Sequence, residues 1–268
     1  MGEQLTKFRR RRAARRAFEA IDRSRDKFIV LHYSCESFYD IKDGRTPRVT
    51  SIAARHFQSG QTASFSIHKA AEERKVSLQQ IASQYDKLER TMLDEYYEFI
   101  KSRHGYNFIH WNMRDINYGF QAIDHRYKVL GGAPKEIGDD RKFDLARELI
   151  NRFGPGYAPH GAAGRLHSLI EMNNISGKGA LTGKEEADAF DSGEYVKLHQ
   201  STLRKVDVMS NILERVLDGT IKTKATWSEK NGYHPAAIVE LSKEHWAWGI
   251  LGLIIVAVGF AAALKDLF

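Results

Sequence analysis

The chain has a single cysteine, Cys35, in 268 residues. An intramolecular disulfide and a Cys-x-x-Cys metal site are therefore excluded, and this usage fits a reducing compartment. None of the eleven histidines stands in His-Glu-x-x-His or zinc-finger spacing. Gly131-Gly132 is not followed by Lys-Ser or Lys-Thr, so it reads as a helix stop rather than a phosphate loop. The N-terminal stretch lacks the apolar run of a secretory signal and is not read as one. There is no internal repeat. The body of the chain also lacks a charge excess: of the formal +7, the first 27 residues carry +6. Basicity is a property of that segment and does not by itself announce a nucleic-acid protein.

With 42% hydrophobic and 28% charged residues, the composition is that of a globular protein. The length fits one domain plus an accessory segment. Residues 1–26 form a basic N-terminal arm, with Arg9, Arg10, Arg11, Arg12, Arg15 and Arg16 interspersed with alanine and phenylalanine. Arginine and alanine favour helix once the charge is neutralised. Two readings stay open for the arm: a grip on phosphates or anionic lipid headgroups, or a solvated tail.

The run Phe28, Ile29, Val30, Leu31 predicts a buried central strand over 27–34 that turns polar at Ser34 and Glu36. Further strands are expected over 48–58 and 62–68, joined by short turns into an antiparallel meander. Apolar residues at three- and four-residue steps predict a helix over 71–103. A short strand over 106–111 follows, then helix from Asn112 to about Leu130. Helices are also expected over 141–153, 165–173, 185–191 and 194–217. The expected class is α/β, a mixed sheet flanked by helices, with the domain spanning 27–217.

Residues 218–244 read as a linker. Positions 246–264 hold no charged residue, and 19 residues of helix span about 28 Å, close to the hydrocarbon thickness of a bilayer. Residues 245–268 are thus expected to be a transmembrane helix and short tail, with tryptophans at one interface. Gly249, Gly252, Gly259 and Ala263 leave small surfaces for helix–helix packing, in a homo-oligomer or with a partner membrane protein. The arginine arm favours a single-pass protein with its N-terminal domain cytoplasmic.

Three carboxylates stand where strands end or on the last long helix: Glu36, Asp115 and Asp207. Carboxylates from separate elements are how proteins hold hard divalent cations, and two such ions would activate water against a phosphodiester. Trp111 offers a face for a base to stack on, or for packing on the sheet.

In order and residue type, 27–217 resembles the DEDD 3′–5′ exonucleases of the ribonuclease H-like superfamily. That family has three antiparallel strands, a helix, a short motif-bearing strand and a helical second half. Its Asp-x-Glu motif corresponds to Ser34-Cys35-Glu36 here. Its strand ending in Asn with an Asp one turn later corresponds to Asn112 and Asp115. Phe143-Asp144-Leu145 and the helix over 166–175 resemble its middle segment. Asp207 matches the last acid, but Thr202 and Leu203 stand where the family has His or Tyr. The resemblance implies a ribonuclease H-like fold, Mg²⁺ or Mn²⁺ on Glu36, Asp115 and Asp207, and a nucleic-acid or nucleotide partner near Ser34, Trp111 and Asn112. His199, two turns before Asp207, could replace the missing base, and His32 or Asp40 could compensate as well. Ser34 in place of the leading acid makes a non-hydrolysing, membrane-anchored binding protein the first expectation, as in anti-phage sensors. A tethered 3′–5′ exonuclease and a non-catalytic module that oligomerises in the membrane are the alternatives.

Overall fold

The computed structural model describes residues 3–37, 46–115, 117–226 and 229. Asp40 and the apolar run 246–264 lie outside them, and no helix among the described residues is long and apolar enough to cross a membrane.

Strand β1 (Phe28–Cys35) is the centre of a five-stranded mixed sheet. It pairs antiparallel with β2 (Val49–His56), which pairs antiparallel with β3 (Thr62–Ser66). On its other side β1 runs parallel to β4 (Asn107–His110), and β4 runs parallel to β5 (Lys142–Asp144). The order is β3-β2-β1-β4-β5. Both faces of β1 are covered, which is why its sequence is a continuous apolar run rather than an alternating one.

Side-chain alternation divides the core. Ile29, Leu31 and Tyr33 pack with α2 (Ile67–Glu73), α3 (Tyr85–Ser102) and α4 (Phe120–Val129). Phe28 and Val30 face the other way, toward α5 (Leu145–Phe153), α6 (Gly164–Met172) and α8 (Tyr195–Leu217). Helix α7 (Gly183–Asp191) lies against α8.

The basic segment is a helix, α1 (Glu3–Arg23), and it belongs to the fold. Ala14, Phe18 and Ile21 are buried, and α1 packs on α5 and α8. Spacing of four and three residues puts these side chains on one stripe, opposite Arg9, Arg12 and Arg16. The Phe18 ring meets Phe143 edge-to-face at 5.5 Å. Phe18→Leu is expected to lower stability by about 1–2 kcal/mol, from lost ring contact and imperfect filling; urea unfolding would measure it. A shift below 0.3 kcal/mol would show that α1 is not part of the cooperative unit.

Four boundaries differ from the sequence expectation. The third strand ends at Ser66 and helix α2 begins at Ile67. The helix expected over 71–103 is broken: Lys75 takes a left-handed conformation at φ 58°, and the Gln80 side chain accepts the Ser77 amide at 3.3 Å, so the chain restarts before α3. The helix expected from Asn112 begins only at Phe120. Gly119, at φ 146°, lies against Met113, where a Cβ would sit 2.4 Å from the carbonyl oxygen. Finally, the helix expected from 141 is preceded by β5, three residues too short to leave a period-2 signal.

Candidate functional site

The parallel strands β1, β4 and β5 end together, and a cleft of about 1820 Å³ opens there. Clefts in open α/β sheets form at the carboxyl ends of strands, where loops diverge to opposite faces. His32, Ser34 and Glu36 line it from β1, Trp111, Asn112 and Asp115 from the turn after β4, and Glu186 and Lys205 from α7 and α8.

The turn after β4 is held by Asp144, which is almost fully buried. Asp144 Oδ1 accepts the Asn112 amide at 3.1 Å and the Arg147 amide at 3.3 Å, capping α5, and Arg114 Nε lies 3.3 Å from Oδ2. Asn112 sits at φ 54°, in the left-handed region that asparagine tolerates better than most residues. His110 is fully buried and its Nδ1 accepts the Met113 amide at 3.1 Å. Asp115 is exposed and accepts the Asn117 amide at 2.8 Å, an Asx turn. Trp111 is half-buried, packed against the α5–α8 core while lining the cleft.

Ser34 is 1% exposed. Its Oγ lies 2.8 Å from Thr202 Oγ1 and donates to Glu186 Oε1 at 3.1 Å. Ser51, its register partner on β2, lies 2.5 Å from Thr202 Oγ1. Ser201 donates to the same Glu186 oxygen at 2.8 Å, and the Lys205 ammonium lies 2.7 Å from it. A carboxylate, an ammonium and four hydroxyls thus close on one another beside the end of β1. His32 is buried, and both its ring nitrogens lack a partner among the described residues. Burial, and then the Lys205 charge, hold its pKa well below the ordinary value, so it is a neutral imidazole. Burial pushes the Cys35 thiol up to about 12, so it is no nucleophile at neutral pH.

The other two sequence candidates lie apart from this cluster. Asp207 pairs with Arg55 at 3.2 Å. Arg55 stands opposite Val30 on β1, four residues before Ser34 and so roughly 13 Å back along the strand. His199 faces α2, its ring 4.9 Å from that of His68, and does not line the cleft. Glu36 joins the edge of β2, its amide donating to Arg48 O at 2.8 Å. The set expected to hold Mg²⁺ or Mn²⁺ is therefore divided: Glu36 and Asp115 reach the cleft and Asp207 does not. Among the described residues no three His, Cys, Asp or Glu side chains gather in a set that could hold a metal ion. The Ser34 hydroxyl, engaged with Thr202 and Glu186 beside an ammonium, is itself a poor ligand for a hard dication.

Sequence reasoning missed Glu186 and Lys205. Lys205 had a signal: on α8 it follows Leu198 and Thr202 on the buried stripe, where a lysine is out of place unless its charge is met. Glu186 had none. The arginines of the N-terminal segment lie on α1, outside the cleft lining.

No protein-family model matches the chain, and no curated protein matches it.

Proposed function

We propose that this is a ribonuclease H-like domain of the DEDD exonuclease type whose cleft binds a nucleotide or a nucleic-acid end without hydrolysing it. The domain would be held at a membrane through 246–264 and act as a sensor, as in anti-phage defence. The observation that carries this reading is Ser34 with Lys205: at the end of β1, where two-metal chemistry needs a carboxylate, stand a buried hydroxyl and an internal ammonium. The order of elements supports the fold assignment: three antiparallel strands, a helix, a short strand ending before Asn112 and a helical half. Beside the Glu186–Lys205 pair, Arg114, Arg147 and Arg165 line the cleft as phosphate partners. Trp111 offers a ring to a base.

The test is binding of mononucleotides and of end-labelled 20-mer RNA and DNA at low salt, with cleavage followed in Mg²⁺ and Mn²⁺. Binding without cleavage is expected. Arg147→Met, at an exposed arginine of the cleft lining, should weaken binding by about tenfold or more, the loss of one charge-assisted hydrogen bond. Ser34→Asp should not create a nuclease, because Lys205 and the Arg55-held Asp207 stay where they are. Cleavage by the parent chain that disappears in both Glu36→Ala and Asp115→Ala would establish the tethered exonuclease instead. Absence of binding to every probe would remove the nucleotide reading.

A further inference from the structure

We propose that the outer face of α1 docks on an anionic lipid surface. Arg9, Arg12 and Arg16 recur at steps of three and four and are exposed, with Ala13 between them. They form a stripe opposite the buried stripe of Ala14, Phe18 and Ile21, and one turn before Arg9 the same side of the helix ends at Leu5, which is buried. More positive charge gathers where α1 meets α5: Arg11 Nε donates to Arg152 O at 3.3 Å, and Arg15 and Arg11 act on the Arg152 guanidinium as like charges, adding to its burial. The exposed arginines of that stripe present positive charge to a polyanion.

The path of the chain says which polyanion. Beyond α8 the backbone returns beside α1: the Lys224 amide donates to Tyr157 O at 2.8 Å, Ala225 is buried in the core that holds Phe18, and the Glu229 charge acts on Arg11. The apolar run begins at Trp246, 17 positions beyond Glu229. Sixteen intervening residues reach at most ~55 Å. A bilayer crossed by that run is therefore tethered within reach of the arginine stripe, at high effective concentration. Basic residues next to a span meet the anionic cytoplasmic leaflet and add to its attraction one by one. This inference is independent of the cleft, but it rests on reading 246–264 as a span.

The experiment uses the full chain carrying Cys35→Ser and Ala13→Cys, with a fluorophore on the new and now single thiol. The chain is reconstituted into vesicles of phosphatidylcholine alone or with about a third phosphatidylglycerol, a surface charge able to attract arginines; both contain a headgroup quencher. Quenching is expected with phosphatidylglycerol and not without it, to fall as salt rises, and to drop at least tenfold in docked-to-undocked ratio in Arg9→Glu/Arg12→Glu/Arg16→Glu. Circular dichroism checks that this variant is folded. Equal quenching in both vesicles, or none in either, with the chain resisting alkaline extraction, overturns the proposal. If alkaline carbonate strips the chain from vesicles, the span reading fails on its own; selective pelleting with phosphatidylglycerol vesicles then still upholds lipid docking, and pelleting with both or neither overturns it. Loss of 20-mer RNA binding in the triple variant, without any lipid dependence, would overturn it in favour of nucleic acid.

Discussion

Glu89→Ala is expected to destabilise the domain by about 3–5 kcal/mol, the range for removing one partner of a buried ion pair. Glu89 lies on α3 and is fully buried. Its Oε1 accepts the Val49 amide at 2.6 Å, and its Oε2 accepts Arg126 Nε at 3.0 Å and Nη2 at 2.6 Å. Arg126 is itself almost fully buried on α4, and its second partner, Asp86, is largely exposed. Truncation leaves a guanidinium without its bidentate partner and the first amide of β2 without an acceptor, each a desolvation penalty. Urea unfolding of the parent and variant measures the loss. The paired replacement Glu89→Leu/Arg126→Met should recover most of it, since buried pairs replaced by apolar groups are often neutral. A single-variant loss below 1 kcal/mol would mean that solvent reaches the site.

This pair also bears on the cleft. Val49 is the register partner of Cys35, and Tyr85 donates to Val49 O at 3.1 Å. The Glu89–Arg126 pair thus fixes the β2 end beside which Glu36 hydrogen-bonds to Arg48. A loosened β2 start should weaken ligand binding along with stability.

The central strand was legible because burial on both faces demands an unbroken apolar run, and the residues from Phe28 to Leu31 supply one. The helical half was legible for the same reason at period 3.6, with α8 predicted to within a residue at its start. Strand β5 was not, since Lys142–Asp144 gains its conformation from pairing with β4 rather than from pattern. In α1 the arginines obscured the buried positions Ala14, Phe18 and Ile21, which only contact with α5 and α8 makes meaningful. For the site, sequence order found the residues that follow strand ends, Ser34, Glu36, Asn112 and Asp115, because topology carries strand ends to one edge. It did not find the rotation of α8. Thr202 and Lys205 face the cleft cluster, while Asp207, two residues on, is turned roughly 200° around the axis toward Arg55. A spacing in sequence fixes helical phase only once one contact on that helix is known.

The second large effect expected is acid destabilisation beginning well above the carboxylate range. Burial lowers His110 and His199 from 6.5 to about 4. The cause is visible in both. His110 Nδ1 must stay unprotonated to accept the Met113 amide, and its Nε2 has no partner among the described residues. His199 Nε2 is buried without a partner among the described residues, and His68 and Lys69 add like charge. Each imidazole is neutral in the fold, while the unfolded chain takes up its proton below about pH 6.5. Stability is therefore full above that pH, falls as pH drops toward 4 and levels off below it. Each group contributes on the order of 2–3 kcal/mol over this window. Glu89, Glu95 and Asp124, whose carboxyls burial holds above their ordinary range, work in the opposite sense: the fold binds their protons first, offsetting part of the loss. The measurement is the urea midpoint from pH 7.5 to 4. His199→Phe, which keeps the ring and removes the titration, should flatten the slope by close to one proton. His110→Asn, whose side-chain oxygen can still accept the Met113 amide, should flatten it by a similar amount. Parent-like slopes in both variants would show that these imidazoles are protonated in the folded protein, and that the closed packing around β4 and between α2 and α8 opens to water.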